Sequence, residues 1–576
     1  MLANKLLSCV GGEETLYSSD VFSAYTYTGN GSTQTINNGI DLAGKGGLVW
    51  TKGRSSAYSH ALTDTARGNT KSLNTNDTSS QWTKTDAITT FNSNGYSLGA
   101  DASQWWNNSA QTYISHTFRK APKFFDIVTY TGNGVAGRQI PHALGIAPGM
   151  VIVKATSSVE QWYVYHRSTG TSNYLLLNTT AAAFAFSVVT ATSTTSITLP
   201  NDGSTNGNGT TYVAYLFAHD SSADGIVQCG SFTTDGSGNA TVNLGWEPQY
   251  LLYKSSSTAN AWITIDTSRG WNTSTLDAQL APNLSVAEGA GESGSPTTTG
   301  FTFAGIPSVT YIYLAIRRPN KPPTLGTQVY NAIARTGTGI AATVTGVGFA
   351  PDLVMSHVTS VAVGVNGWFD RLRGSGKRLD TSTTGVEVAE SNSLLEILQD
   401  GLSLGSDDTY GSINFTRPYI NHFFKRAPGV FDVVCYTGTG VAKTEAHSLG
   451  VVPELMIVKN RGAAANWFTY NSTMGNTGLL RVNTTDAVQT GTAVWSSTTP
   501  TSTLFSIEGV NNTSANTYVA YLFATKAGIS KVFSFTGNGT SQTIDCGFTT
   551  GSRFVMIKRT DSTGDWYVWD SVRGIV

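Results

Sequence analysis

A motif recurs along this chain at intervals of about a hundred residues, and fixed-period self-similarity decides architecture before any local reading does. Each copy has a Gly, a Lys nine residues on, an aromatic eight further, a polar residue four further and a Gly four further. One copy runs Gly145, Lys154, Trp162, His166, Gly170; a second runs Gly245, Lys254, Trp262, Asp266, Gly270. A third runs Gly450, Lys459, Trp467, Asn471, Gly475, and the last keeps Lys558, Trp566, Asp570 and Gly574. A longer period overlies the short one: Phe118-Arg-Lys-Ala-Pro122 returns as Phe424-Lys-Arg-Ala-Pro428, and His142-Ala-Leu-Gly145 as His447-Ser-Leu-Gly450. The chain therefore reads as two triplets of modules, each large enough for its own core.

Each module opens on a strand that alternates aromatic residues with Thr, as in Val128-Thr-Tyr-Thr-Gly-Asn-Gly134, and then turns on Gly-Asn-Gly. A Leu-Gly-x-x-Pro segment leads into a continuous apolar run such as Met150-Val-Ile-Val-Lys154, which implies burial on both faces. An apolar strand closes the module, as in Tyr212-Val-Ala-Tyr-Leu-Phe-Ala218. Short strands, Gly-rich turns and almost no helical period predict an all-β tandem array of about six β-sandwich or jelly-roll modules. The boundaries are 1–20 (an attachment segment, with a small helix or strand at Lys5–Val10), 21–124, 125–224, 225–324, 325–429, 430–529 and 530–576. The sixth module is less than half a module long, so the expectation is either a chain that continues past Val576 or strands from a neighbouring subunit. Ala389–Leu402 has mixed spacing and reads as one or two helical turns or an irregular strand.

Composition narrows function. Charged residues make up 13% against a usual quarter, and net charge is −1 with no basic stripe, which argues against nucleic acid. No apolar run is long enough to span a membrane as a helix. The four cysteines, Cys9, Cys229, Cys435 and Cys546, lack CxxC spacing and read as free thiols. The eight histidines show no metal spacing, no cofactor motif stands out, and no carboxylate pair suggests glycosidase chemistry.

The element Asp-x-x-Arg-Gly occurs at Asp64/Arg67, Asp266/Arg269, Asp370/Arg373 and Asp570/Arg573. It reads as a turn in which Asp caps and pairs with Arg while Gly takes the left-handed position, because a catalytic group is not needed in four scattered copies. The repeated Lys (Lys52, Lys154, Lys254, Lys459, Lys558; His357 in module four) is expected to snorkel, its amine in water. The repeated Trp reads as core. Trp105, Trp106 and Trp271 break the repeat and are the candidates for surface recognition by stacking on sugar rings.

Tyr-Thr-Gly-Asn-Gly, Phe-Arg-Lys-Ala-Pro-Lys-Phe-Phe-Asp, Leu-Gly-x-x-Pro-x-x-x-x-x-Lys and Tyr-Val-Ala-Tyr-Leu-Phe-Ala together resemble a family of repeat-containing virion proteins of tailed bacteriophages, of marine and metagenomic type. The resemblance covers nearly the whole chain from residue 21 and carries over no catalytic residue. It implies a structural virion protein, not an enzyme, made in the host cytoplasm and placed on the tail or exterior of the particle. The leading expectation is a tail fibre: residues 1–20 dock it, the modules form a stiff rod, and distal surfaces contact a host glycan. Its partners would be other virion proteins and further copies of itself, taken as a trimer. The alternatives are a capsid-decorating or other tail protein without receptor binding, and, third, a polysaccharide depolymerase.

Overall fold

The computed structural model describes residues 15–101, 105–273, 276–360, 366–407, 413–491 and 494–574. The protein is an all-β tandem array with only four-residue helical turns and short 3-10 segments among these residues. Module one sets the pattern. Its larger sheet runs, in spatial order, opening strand Phe22–Thr28, closing strand Thr112–Arg119, central strand Gly47–Gly53, return strand Ala61–Asp64, then Lys71–Asn74 and Trp82–Thr83, all antiparallel. A smaller sheet, Gln34–Asn37, Gly95–Leu98 and Ile88–Asn92, covers one face, and Ile36, Tyr96 and Leu98 pack there against Val49 and Tyr113. The same order recurs with closing strands Thr211–Ala218, Thr310–Arg317, Pro418–Phe424 and Thr517–Phe523 beside central strands Pro148–Ala155, Pro248–Ser255, Leu353–Val358 and Leu455–Asn460. The stretch 389–402 contains the strand Leu394–Ile397, with a bulge, and no helix. In module six the described strands are Phe554–Lys558 and Trp566–Asp570.

The second face of the larger sheets explains the continuous apolar runs. The central strands of modules two and three are buried at every position. Their outward side chains meet those of the neighbouring modules in one core: Leu48, Leu62 and Phe118 from module one, Ile152 and Trp162 from module two, Leu252, Trp262 and Leu314 from module three. At its centre Phe118 lies 5.6 Å from Phe125, 5.4 Å from Phe217 and 6.1 Å from Tyr250, a four-ring hub drawn from three modules. The second triplet repeats it at equivalent positions, with Phe424 5.7 Å from Phe431, 5.8 Å from Phe523 and 5.5 Å from Phe554. Rings at these separations attract one another beyond the area they bury.

The modules therefore do not string into the expected rod. Module one hands on to module two through the Gln81 amide and the Thr156 carbonyl (3.0 Å), and module two to module three through Ala183 and Ser256 (3.0 Å). Module three returns to module one through Glu288 and Arg54 (2.8 Å). Each bond uses the same place in the repeat, so three modules close a ring about a pseudo-threefold axis. In the second triplet the same bond joins Glu387 to Arg461 (2.9 Å) and Val488 to Thr560 (2.9 Å).

The triplets meet through a buried ion cluster. Arg426 holds Glu247 with both Nη atoms (2.7 and 2.6 Å) and Asp432 with Nε (2.7 Å), while Arg318 reaches Glu247 (3.2 Å) and Asp432 (3.3 Å). The turn Ser18–Val21 packs onto the connector between triplets: Ser18 Oγ donates to the Arg318 carbonyl (2.8 Å) and Lys321 pairs with Asp20 (2.8 Å). Residues 1–14, which include Lys5–Val10 and most of the expected attachment segment, lie outside the described residues.

Candidate functional site: the module junctions and the cleft between triplets

The repeated motif residues converge on the junctions. The return strand ends on the Asp of Asp-x-x-Arg-Gly, whose Oδ1 accepts the amides of Ala66 (3.0 Å) and Arg67 (2.9 Å) and whose Oδ2 takes Arg67 Nε (2.6 Å). Arg269 and Asp266 pair in the same way at 2.6 Å, as do Arg373 with Asp370 and Arg573 with Asp570. Gly68, Gly270, Gly374 and Gly574 sit at φ of 97°, 105°, 95° and 119°, the left-handed region where a side chain is strained.

The turn also reaches forward to the closing strand of the next module. Tyr215 donates to Asp64 Oδ2 (2.8 Å), Tyr521 to Asp370 Oδ2 (2.7 Å), and His116 Nε2 to Asp266 Oδ2 (2.9 Å). In module three the corresponding closing-strand residue is Leu314, which offers no polar atom, and the facing turn residue is His166, whose Nε2 donates to the Tyr313 carbonyl (3.1 Å) instead. Each exchange on one side is matched on the other. Burial pushes the Asp266 carboxyl upward, but Arg269 and His116 outweigh it and hold it well below the usual carboxylate range.

The repeated Lys and Trp face backward, to the preceding module, and here two expectations are corrected. The Lys amines are not in water: Lys52, Lys154, Lys254 and Lys459 are buried. Lys154 Nζ donates to the Thr78 carbonyl of module one (3.1 Å) and to its own Glu160 carbonyl (2.8 Å). Lys254 reaches Thr180 (3.2 Å), Lys459 reaches Thr384 (3.0 Å), Lys558 reaches Thr485 (2.9 Å) and, closing the ring, Lys52 reaches Ser285 (3.4 Å). A snorkelling amine needs open water beyond the strand end, and the preceding module fills that space. Burial lowers these amines to about 8 at Lys52, Lys154, Lys254 and Lys459. Beside them, the indole N–H of Trp162 donates to the Asn74 carbonyl (2.9 Å), Trp262 to Leu176 (2.9 Å), Trp467 to Asp380 (3.0 Å) and Trp566 to Arg481 (2.9 Å).

Two of the three candidate recognition tryptophans, Trp106 and Trp271, are corrected too. Trp106 is buried among Tyr27, Tyr96 and Tyr113, and Trp271 is buried with its indole donating to the Gly294 carbonyl (3.1 Å). Trp105, half-buried, stacks on Trp106 at 6.1 Å. They fill space inside modules one and three that the repeat does not fill elsewhere, so departure from the repeat reflected local packing.

Sequence reasoning missed a cleft where modules one, three and four meet. About 570 Å³ in volume, it lies between the turns of Arg269 and Arg373. Arg54 spans its wall, 3.0 Å from Glu288 and 3.1 Å from Glu396, and Arg269 Nη1 reaches Glu288 as well (3.0 Å). Asp277 borders it. The side chain is buried, Oδ2 accepts the Ser293 amide (3.1 Å), and Oδ1 has no hydrogen-bond partner. Burial raises this carboxyl to about 7, against the lowering pull of the Ser293 and Asn272 amides. Lys377 lines the opposite turn. Arg54, Asp277, Glu288, Glu396 and Lys377 belong to no shared motif, and ring closure in the first triplet together with the docking of the second brings them to one cleft.

Against known proteins, no curated protein matches the chain. One family model, described as a domain of unknown function (DUF7483), matches twice, over residues 17–316 and 326–575. Each match spans one triplet, and the chain, two triplets joined by a short connector, belongs to the DUF7483 family.

Proposed function

We propose that this protein is a structural, non-enzymatic component of a tailed-bacteriophage particle, a tail fibre or related appendage on the exterior that contacts the host surface. The observation that carries the reading is where the chain places its ionisable groups. The repeated lysines, the Asp-Arg turns and the histidines facing them are engaged in holding one module to the next. Buried, paired charges in that position serve cohesion, and sheets enclosed on both faces suit a protein that works outside a cell. The phage assignment itself rests on the motif resemblance.

A capsid-decorating role is the second reading, and the closed triplet favours it, because a compact ring replaces the linear rod expected of a fibre. Immunogold electron microscopy of particles of the phage that encodes this sequence, with antibody against residues 125–324, separates the two. Gold on tail-attached structures supports the appendage. Gold spread over the head makes this a decoration protein, and particles without gold sink both readings.

A further inference from the structure

We propose that the cleft between the triplets binds a carboxylated sugar, a small ligand carrying one oxyanion and several hydroxyls. The proposal deepens the host-contact reading and rests on it for its setting.

The cleft has the volume of a small-molecule site, and both triplets build it. Its charges are mixed in a way that a bare ion does not use. Arg54, Arg269, Arg371, Arg373 and Lys377 line it together with Asp277, Glu288 and Glu396. Most of the cations are already engaged: Arg269 and Arg373 with the Asp of their own turns, and Arg371 with the Pro351 and Ile397 carbonyls (2.9 and 3.0 Å). Lys377 is different, since its amine makes no hydrogen bond or ion pair with the described residues. Arg54 uses three of its five N–H groups on Glu288 and Glu396 and has two to spare. A ligand carboxylate fits between these donors.

Asp277 supplies the complementary demand. A buried carboxyl oxygen without a partner costs free energy that a hydroxyl donor recovers. Glu288 and Glu396, held by Arg54, keep lone pairs for further hydroxyls. A neutral hexose offers nothing to Lys377, and a bare sulfate brings no donor to Asp277. A bound carboxylate also favours the neutral form of Asp277, so binding tightens as pH falls through about 7.

The test is isothermal titration calorimetry of the full chain with D-glucuronate, D-galacturonate, D-glucose and sulfate at pH 6 and pH 8. One uronate is expected to bind with 1:1 stoichiometry, more tightly at pH 6. Lys377→Met is expected to weaken it about tenfold, the scale of one charge-assisted contact. Asp277→Asn is expected to flatten the pH dependence, with circular dichroism confirming that both variants fold. Glucose binding as well as the uronates, sulfate competing equally, no heat from any ligand, or wild-type affinity in Lys377→Met overturns the proposal. Particle labelling is independent: labelled tails without uronate binding remove the ligand and keep the appendage, and the reverse result removes the appendage and keeps the ligand.

Discussion

The two triplets join successive modules by the same main-chain bonds, but their third modules return to the first by different contacts: the Glu288–Arg54 bond of the first triplet has no counterpart among the described residues of the second. In the first, Asp266 meets His116 at 2.9 Å, Arg269 backs the carboxylate at 2.6 Å, and Lys52 reaches back to Ser285. In the second, Asp570 stands 3.8 Å from His422, and Arg573, which backs it, is 37% exposed. His357 occupies the place of the lysine and bonds Asn366 of its own module (2.9 Å), while Arg553 spans to the Tyr330 carbonyl (2.9 Å) and Asn331 (2.8 Å). The aromatic hub is common to both, with Phe118, Phe125, Phe217 and Tyr250 answered by Phe424, Phe431, Phe523 and Phe554. Apolar packing therefore fixes the ring, and the polar pairs set how firmly each junction is held. Hydrophobic contact is non-directional and tolerates exchange of partners around it, whereas a buried ion pair does not.

The largest expected effect tests that division. Asp266→Ala leaves Arg269 and His116 facing a buried gap and should cost about 3–5 kcal/mol, the usual range for breaking a buried pair. Asp570→Ala should cost about 1 kcal/mol, because its arginine can turn to water. Urea unfolding of the two variants measures both, and equal losses would break the comparison. Tyr215→Phe and Tyr521→Phe sharpen it from the other side. Their hydroxyls reach Asp64 and Asp370 at 2.8 and 2.7 Å, so each should lose about 1–2 kcal/mol, the same in both triplets.

Acid should loosen both rings next. Burial lowers His422 to about 3, with His357 adding to the effect, and the two imidazoles lie 5.8 Å apart. A histidine held neutral when folded contributes stability that is present above its unfolded value, near 6.5, and lost as pH falls toward the folded value. Asp570, whose carboxyl is lowered although burial opposes it, acts in the same direction once pH falls below about 4. Between pH 6.5 and 4 both triplets should lose stability, the second through His422 and the first through His60, His116 and His166, which burial also lowers, and hydrogen exchange should report opening at both central strands, Leu353–Val358 and Gly47–Gly53. His422→Phe should make the second triplet less sensitive to acid and leave the first unchanged, and an acid response of the second triplet identical in variant and unmodified protein would contradict the assignment.

The strands and their tandem order were legible because period-2 alternation and Gly turns are local signals, and the closing strands Tyr212–Ala218 and Tyr518–Ala524 read nearly identically. The apolar run Met150–Lys154 announced two buried faces. What covers the second face was not legible: ring closure depends on His116 meeting Asp266 and on Leu314 being answered by His166, pairings about 150 residues apart. The buried lysines were misread because a cation at a strand end is compatible with water or with a neighbour's carbonyl, and only the neighbour decides. One signal was available, since Lys, Trp and Asp recur together and a snorkelling residue has no reason to keep step with a core Trp. The cleft had none, as Arg54, Asp277 and Lys377 become neighbours only after both rings form and dock.

A further expected effect is alkaline, and it uses those lysines. Lys52, Lys154 and Lys254 in the first triplet and Lys459 in the second are lowered by burial to about 8, against 10.5 for a free lysine. The folded state then releases these protons first, so between pH 8 and about 10 the unfolded chain holds more of them and stability rises with pH. The buried tyrosines limit the window from above. Burial raises Tyr215 and Tyr521 beyond 10, so their contribution is present below that value and lost above it. The first triplet, with three lysines lowered to about 8, should gain more than the second, where Lys459 at about 8 is joined by Lys425 and the less buried Lys558, both lowered by burial, and where His357 takes the fourth module's lysine position. Urea midpoints at pH 7.5, 8.5 and 9.5, read by hydrogen exchange in each triplet, measure the two slopes. Lys154→Met keeps the aliphatic stem and removes the proton, so it should cut the slope of the first triplet by about a third while leaving the second unchanged. A flat profile in both would mean that the amines stay charged against their carbonyls, with the junctions held by charge-assisted hydrogen bonds throughout.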